Sequence, residues 1–572
     1  MAETLISPGV LARENDNSFI RQQPVAVGAS LIGPTVKGPV EIPTVVTTYS
    51  DYLNRFGGSF LSGGAEYSYF TSIAVYNYFI NGGESLLVTR VASGSFTSAT
   101  ASILGTSTSE SFTLNTISEG TIMNNIGPSG SYNTLSSGSS DNIRWEITNR
   151  DTGSGVFTLL IRQGNDAQNN KSVLESWSGL SLDPTQQNFI SAVIGDSYQS
   201  FSATDGAHIE TYGTFPNRSR YVYVASLSNL TPNYFDNNGT PKSEYTSSIP
   251  ANGSGSLNGA FQGASGSLYY GGGAGYYQNI SGSNNLQGIT ANDYTSSIAL
   301  MANQDDYKFN VISVPGLTIE ENASQIATLV NNIQSRGDAI AVVDPSTYGS
   351  TVSTTIAESA NINSSYATAY WPWLQTLDPG TGQLVWVPAS TMIPAVYAYN
   401  DSVSEPWFAP AGINRGGLST VVRAERKLTQ SQRDTLYTNK VNPIATFPGT
   451  GVVVYGQKTL QARASALDRV NVRRLLISLK SYISQVANNL VFEQNTIATR
   501  NQFLSQVNPY LESVQQRQGL YAFRVIMDDS NNTPDVIDRN QMIGQIYLQP
   551  TKTAEFIYLD FNILPTGATF PA

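Results

Sequence analysis

Residues 467–495 read LDRVNVRRLLISLKSYISQVANNLVFEQN. At 100° per residue, Leu475, Leu479, Tyr482, Ile483, Val486 and Leu490 fall on one side, which predicts an amphipathic helix burying that face. Asp468 is placed to cap its start, and neither Gly nor Pro interrupts it before Asn495. Arg469, Arg473 and Lys480 share a narrow stripe beside the apolar face, with Arg474 apart from them. A second, more polar helix is expected over Thr496 to Gln518 despite Pro509. Two strand-like runs follow, GLYAFRVIM (519–527) and QMIGQIYLQP (541–550), joined by the turn-rich DDSNNTPD. In the final run, TAEFIYLDFNIL (553–564), Ile557, Leu559, Phe561 and Ile563 alternate with Phe556, Tyr558, Asp560 and Asn562, the period of a strand. This stretch alone specifies an α+β unit with a strand at its end.

Working outward, residues 25–93 read as an α/β piece. VAVGASLIG (25–33) and GPVEIPTVVTTY (38–49) carry strands, Asp51 to Phe56 a short helix, Tyr67 to Ile80 a longer one, and SLLVTRV (85–91) a buried strand. Residues 296–420 return to the same order. YKFNVISVPGL (307–317), a helix over Asn322 to Ser335 and DAIAVVDP (338–345) have the spacing of a parallel βαβ unit. Between these halves the composition turns to Ser, Thr and Gly over 94–140, and then IRWEITN, VFTLLIRQ and RYVYVAS read as strands. Residues 227–295 include NGSGSLNGAFQGASGSLYYGGGAGYYQ; their low apolar content predicts a surface decoration and not a core.

Composition narrows the function. The 572 residues carry a net charge of −11, which counts against direct, sequence-independent nucleic-acid binding. Charged residues make up only 13%, beside 49 Gly and 31 Tyr, a profile suited to β-rich structure and large polar protein contacts. There is no cysteine, so disulfides and thiolate metal sites are excluded. No apolar run approaches 18 residues and no secretory leader is evident, so membrane insertion is not expected. GVVVYGQKT (451–459) approaches a phosphate-cradling loop, but Gln457 intrudes between Gly456 and Lys458 and shifts the lysine off the geometry that meets phosphates. His208 is the only histidine, and the acidic pairs Asp305-Asp306 and Asp528-Asp529 lack calcium-loop spacing. No catalytic, cofactor or metal residue is expected, and the chain reads as a non-enzyme.

The order N-V-R-R-L-L (471–476), V-F-E-x-N (491–495), a Gly-led strand, an N-x-T-P-D turn and P-x-x-x-x-E-F-I (550–557) resembles the C-terminal domain of contractile-tail sheath proteins. So do S-P-G-V-x-x-x-E-x-D (7–16), V-G-x-x-x-x-G-x-x-x-K-G-P (27–39) and LESWSGLSLDPTQQNFISAVI (174–194). The series Y-x-P-W-L (370–374), V-P-x-S (387–390) and A-P-A-G-I (409–413) points the same way. The resemblance implies a multidomain α/β and α+β protein. Its parts are an N-terminal arm at 1–24, a core at 25–93 and 296–420, a β-rich outer domain inserted at 94–226, a surface insertion at 227–295, an inner C-terminal domain at 421–552 and a C-terminal arm at 553–572. It implies a subunit of stacked hexameric rings around a tail tube, made in the host cytoplasm and carried in the virion tail, with baseplate and tail terminator proteins as further partners. A phage-tail-like bacteriocin or injection device is the neighbouring reading, and a glycan-binding surface adhesin is the reading from another class. The helix bearing Arg469, Arg473 and Lys480 would then face the tube. Pro8, Gly9 and Val10 of one arm and Ile557, Leu559, Phe561 and Ile563 of the other would link subunits.

Overall fold

The computed structural model describes residues 27–106, 109–261, 273–280 and 286–556. Pro8, Gly9, Val10, Ile557, Leu559, Phe561 and Ile563 lie outside the described residues.

The centre is an eight-stranded sheet. Its strands in chain order are Val27–Gly33 (β1), Thr44–Val46 (β2), Leu86–Arg90 (β3), Phe309–Thr318 (β4), Ile340–Asp344 (β5), Ala367–Trp371 (β6), Val441–Phe447 (β7) and Gly451–Val454 (β8). Their spatial order is β2-β3-β1-β4-β5-β6-β7-β8. The inner six run parallel, and the edge strands β2 and β8 are antiparallel. β3, β5 and β6 are buried at every residue, as strands covered on both faces must be. The covering helices include Tyr49–Phe56 (α1), Phe70–Ile80 (α2), Ile319–Arg336 (α3) and Ile393–Val403 (α4). Local chemistry sets their ends. The Thr48 hydroxyl accepts the Asp51 amide at the start of α1, and Gly337 closes α3 at φ 73°, where a side chain would be strained. The expected βαβ unit over 307–345 is present, with β4 and β5 parallel around α3.

The outer unit occupies the chain between β3 and β4. Strands Ser98–Leu104, Glu110–Glu119 and Val222–Leu227 form one antiparallel sheet. Ile143–Asp151, Val156–Gln163, Val173–Ser181 and Gly253–Gly255 form a second. One core fills the space between them, with Phe112 stacked on Phe157 at 5.8 Å. Arg144 and Arg162 face each other across the second sheet, both fully buried. Asp166 chelates Arg162 at 2.7 and 2.8 Å, Glu146 accepts from it at 2.9 Å, and these carboxylates offset two like charges that would otherwise repel. Arg90, at the end of β3, ties the outer unit to the sheet by donating to the Gly38 and Glu119 carbonyls at 2.6 and 2.9 Å.

Two expected boundaries move. The sheet does not stop at 420, because β7 pairs in parallel with β6 and β8 pairs with β7. The C-terminal unit therefore begins after β8. The described part of 227–295 is also not merely a decoration. Ile249, Leu257 and Ala260 are buried in the outer core. Tyr276, Tyr277, Ile280, Leu286, Ile289 and Tyr294 are buried in the central one. Tyr276 stands 4.9 Å from Tyr67, 5.9 Å from Phe60 and 5.0 Å from Tyr277, ring to ring. Aromatic rings do here what the low aliphatic content was expected to prevent, since one ring buries as much surface as a large aliphatic side chain or more.

The C-terminal unit consists of helices Val470–Asn488 (α5) and Ile497–Gln516 (α6) and the hairpin Leu520–Ile526 (β9) and Gln545–Pro550 (β10). Leu475, Leu479, Val486 and Leu490 are buried in its core with Phe503, Val507 and Leu511, and Tyr482 and Ile483 flank it, as the periodicity predicts. Asp468 does not cap α5. It ends a short 3-10 turn over Ala466–Asp468 and pairs with Arg469 at 2.9 Å, while Arg469 takes the cap position without a side-chain cap bond. The helix stops at Asn488 rather than running to Asn495, and Phe492 follows at φ 73° with its side chain wholly exposed.

Candidate assembly surface

The basic stripe on α5 separates into three environments. Arg473 is buried, its guanidinium donating to the Ser365 hydroxyl and lying 4.0 Å from the Tyr366 ring centre. Burial lowers its pKa from the usual arginine value, so its charge is held at a cost and is not presented to solvent. Arg469 is partly exposed but engaged: Nε donates to Glu555 Oε1 at 2.7 Å and Nη2 to Oε2 at 3.0 Å. Lys480 is exposed, with Nζ 3.2 Å from the Tyr366 hydroxyl. The expectation of a solvent-facing stripe therefore fails at Arg473, whose partners lie about a hundred residues earlier in the chain. Arg474, apart from the stripe as expected, is buried and paired with both oxygens of Asp401 at the end of α4. Burial is the largest influence and opposes its charge, but Asp401, Tyr397 and Tyr370 together outweigh it and the pKa is raised. This pair fastens α5 to the central layers.

The hairpin β9–β10 is a two-stranded sheet with no further strand partner among the described residues. Phe523, Val525, Ile546 and Leu548 turn one face toward α5 and α6, while Tyr521 and Tyr547 stand 65% and 56% exposed on the other. The turn between the strands is pinned by buried Asn532. Its Nδ2 donates to the Asp528 and Ile543 carbonyls at 3.2 and 2.9 Å, and its Oδ1 accepts the Ile543 amide at 2.8 Å. That role was not read from the sequence, where Asn532 was only one of several turn residues. Among the described residues neither outer backbone edge of the hairpin has a ladder partner, the condition under which strands recruit other chains.

The chemistry-like motifs resolve into structure. Lys458 Nζ donates to the Tyr437 carbonyl at 2.7 Å and stands 4.1 Å from the Tyr437 ring centre. Its pKa falls to about 8, chiefly through burial and then through Lys440 and Arg469. The Lys458 amide donates to Asn442 Oδ1, and a Cβ at Gly456 would come within 2.9 Å of Asn442 and Pro443, so the turn is packed against β7. His208 Nδ1 is 2.8 Å from the Gly206 carbonyl in an exposed hairpin, and Nε2 is 3.5 Å from Glu210. Asp529 pairs with Arg500 at 2.8 Å. Among the described residues no group of three or more His, Cys, Asp or Glu is placed to hold a metal ion, and no helix is long and apolar enough to cross a membrane.

The comparisons agree with this architecture. A family model described as phage tail sheath protein central domain matches residues 287–460, and one described as phage tail sheath C-terminal domain matches 463–564. The division between them falls after β8, where the sheet ends. The tail sheath protein of Vibrio phage KVP40 is 39% identical over 246 residues, covering 43% of this chain and 36% of that protein. The tail sheath protein of Enterobacteria phage T4 is 38% identical over 210 residues, covering 37% of this chain and 32% of that protein. The chain thus spans about a third of the length of these curated relatives. The crystal structure of a sheath tail protein from Listeria innocua superposes with a TM-score of 0.50 at 10% identity, covering 92% of this chain and 95% of that one, a likeness of fold. Residues 287–460 and 463–564 thus carry the central and C-terminal domains of the phage tail sheath family.

Proposed function

We propose that this chain is the structural subunit of a contractile tail sheath, polymerising as stacked hexameric rings around a tail tube and contracting to drive that tube through a bacterial envelope. The observation that carries the reading is the pairing, in one chain, of the central sheath domain with a C-terminal unit whose hairpin has no further strand partner among the described residues. Residues 557–564 of a second copy add to one such edge: backbone hydrogen bonds supply affinity, and alternate side chains fix the register. Burying Ile557, Leu559, Phe561 and Ile563 contributes at most roughly 1.5–3 kcal/mol each, offset in part by the cost of ordering the segment. The arm at Pro8, Gly9 and Val10 engages a different neighbour, so that two tethers per subunit keep the lattice connected. Lys480 is the member of the basic stripe free to meet the tube; Arg469 and Arg473 act through the fold beside it.

Baseplate and tail terminator proteins are the remaining partners, with assembly in the host cytoplasm and residence in the virion tail. The work of contraction is stored in subunit packing and no nucleotide is consumed, in keeping with the occupied turn at Gly456–Lys458. Electron microscopy of the purified chain tests the reading. Striated hollow cylinders are expected, while dispersed particles that bind glycans would replace it with the adhesin. A chain lacking residues 557–572 is expected to remain folded and not polymerise. An ATPase activity abolished by Lys458→Ala would overturn the non-enzymatic reading.

A further inference from the structure

We propose that Glu555 is the positioning residue that fixes where the C-terminal segment leaves the subunit, so that the segment reaches a second copy of this chain from a rigid root. This rests on the strand-exchange reading above. The carboxylate lies where three elements converge. Oε1 accepts from Arg469 Nε at 2.7 Å and from Gln457 Nε2 at 3.1 Å. Oε2 accepts from Arg469 Nη2 at 3.0 Å and from the Tyr437 hydroxyl at 2.9 Å. A carboxylate offers about four lone-pair positions, and all are used within the chain. The fork of Arg469 fixes both oxygens at once, the strongest arrangement available to such a pair.

The residues leading to it are held in alternation. The Thr551 hydroxyl donates to the Gln518 carbonyl at 2.7 Å, Asn471 Nδ2 donates to the Thr553 hydroxyl at 3.1 Å, and Glu555 follows. Phe556, one residue on, has a side chain 69% exposed. The last anchored side chain, Glu555, thus immediately precedes the exposed Phe556 ring. The partners also decide where tension goes. Tyr437 and Gln457 belong to the segments bordering β7 and β8, and Arg469 precedes α5. A pull on the segment is therefore delivered to the eight-stranded sheet and to the start of α5 before it reaches the two-stranded hairpin. Arg469 is not spare charge for an outside partner, which explains why a basic residue on this helix is met from within.

The test compares polymer and monomer in the full chain. Glu555→Gln keeps the shape but loses the charge-assisted fork, and is expected to raise the critical concentration for polymerisation about tenfold while the unfolding midpoint of the monomer stays at the wild-type value. Tyr437→Phe removes one of the four bonds and is expected to raise it about threefold, a change small enough to leave folding intact. If Glu555→Gln and Tyr437→Phe polymerise at the wild-type concentration while removal of 557–572 abolishes polymer, the positioning role is wrong and strand exchange survives. If the truncated chain also polymerises normally, strand exchange itself is wrong. If Tyr437→Phe loses monomer stability in step with polymer, Glu555 is a brace of the fold only, and the proposal falls.

Discussion

Replacing Tyr276 separates a structural segment from a decorative one. The ring is fully buried, in contact with Tyr67, Phe60 and Tyr277, and 6.5 Å from Tyr69 between centres. Tyr276→Ala opens a cavity inside the central core, and large-to-small aromatic substitutions of this kind cost about 3–5 kcal/mol. The hydroxyl is buried without a hydrogen-bond partner among the described residues, and burial pushes the phenol pKa well above its ordinary value. Tyr276→Phe removes that unsatisfied group while keeping the ring, so it is expected to be neutral or to stabilise by ~1 kcal/mol. Urea unfolding of the soluble monomer followed by near-ultraviolet circular dichroism measures both. An alanine variant within 1 kcal/mol of wild type would refute the packing argument and restore residues 227–295 to the surface. A phenylalanine variant as damaged as the alanine one would show that the hydroxyl, and not the ring, is what the core requires.

Asp344 is fully buried, its carboxylate bonded to the amide and hydroxyl of Ser390, and burial raises its pKa to about 7. A raised carboxyl pKa means the folded state binds the proton more tightly, so its contribution is fully present below about pH 4 and is lost as pH rises through about 7. The loss reaches at most ~4 kcal/mol. The stability difference between wild type and Asp344→Asn, measured in urea at pH 5 and pH 8, is expected to move in the variant's favour at the higher pH; a pH-independent difference contradicts this. Asp401→Ala strands the buried Arg474 guanidinium and should cost ~3 kcal/mol, read as a lowered unfolding midpoint. Phe492→Ser, at a wholly exposed side chain, should change monomer stability by less than ~0.5 kcal/mol in the same assay.

What the sequence disclosed follows the range over which each signal acts. The buried face of α5 was legible because side chains four residues apart meet on one helix. The βαβ unit around α3 was legible because a strand, a helix and a strand are consecutive. The membership of β7 in the central sheet was not, because its partner β6 lies some seventy residues earlier and Val441–Phe447 looks the same in any parallel sheet. The stripe on α5 misled for a related reason. Periodicity places Arg473 beside the apolar face but cannot supply Ser365 and Tyr366, nor bring Glu555 back to Arg469 across 86 positions. The tyrosines of 273–294 were read by composition, which registers that a segment is poor in aliphatic side chains and not that two of its rings fill a gap between strands and helices elsewhere.

The pairing of β1 with β4 bears on synthesis. Val27 is in register with Phe309, so the middle of the sheet is closed by chain made long after its first half. At ordinary rates of translation, ~5–20 residues per second, the roughly 280 intervening residues take about 15–60 s to emerge. Once Leu86–Arg90 has been made, β1 has β3 on one side and a bare backbone edge on the other until Phe309–Thr318 emerges. The outer unit, whose two sheets and their shared core draw on described residues up to 260, is made entirely within this window. Insertion of that unit between β3 and β4 thus sets a timetable for the nascent chain, in which the middle of the central sheet closes only after the outer unit has been made.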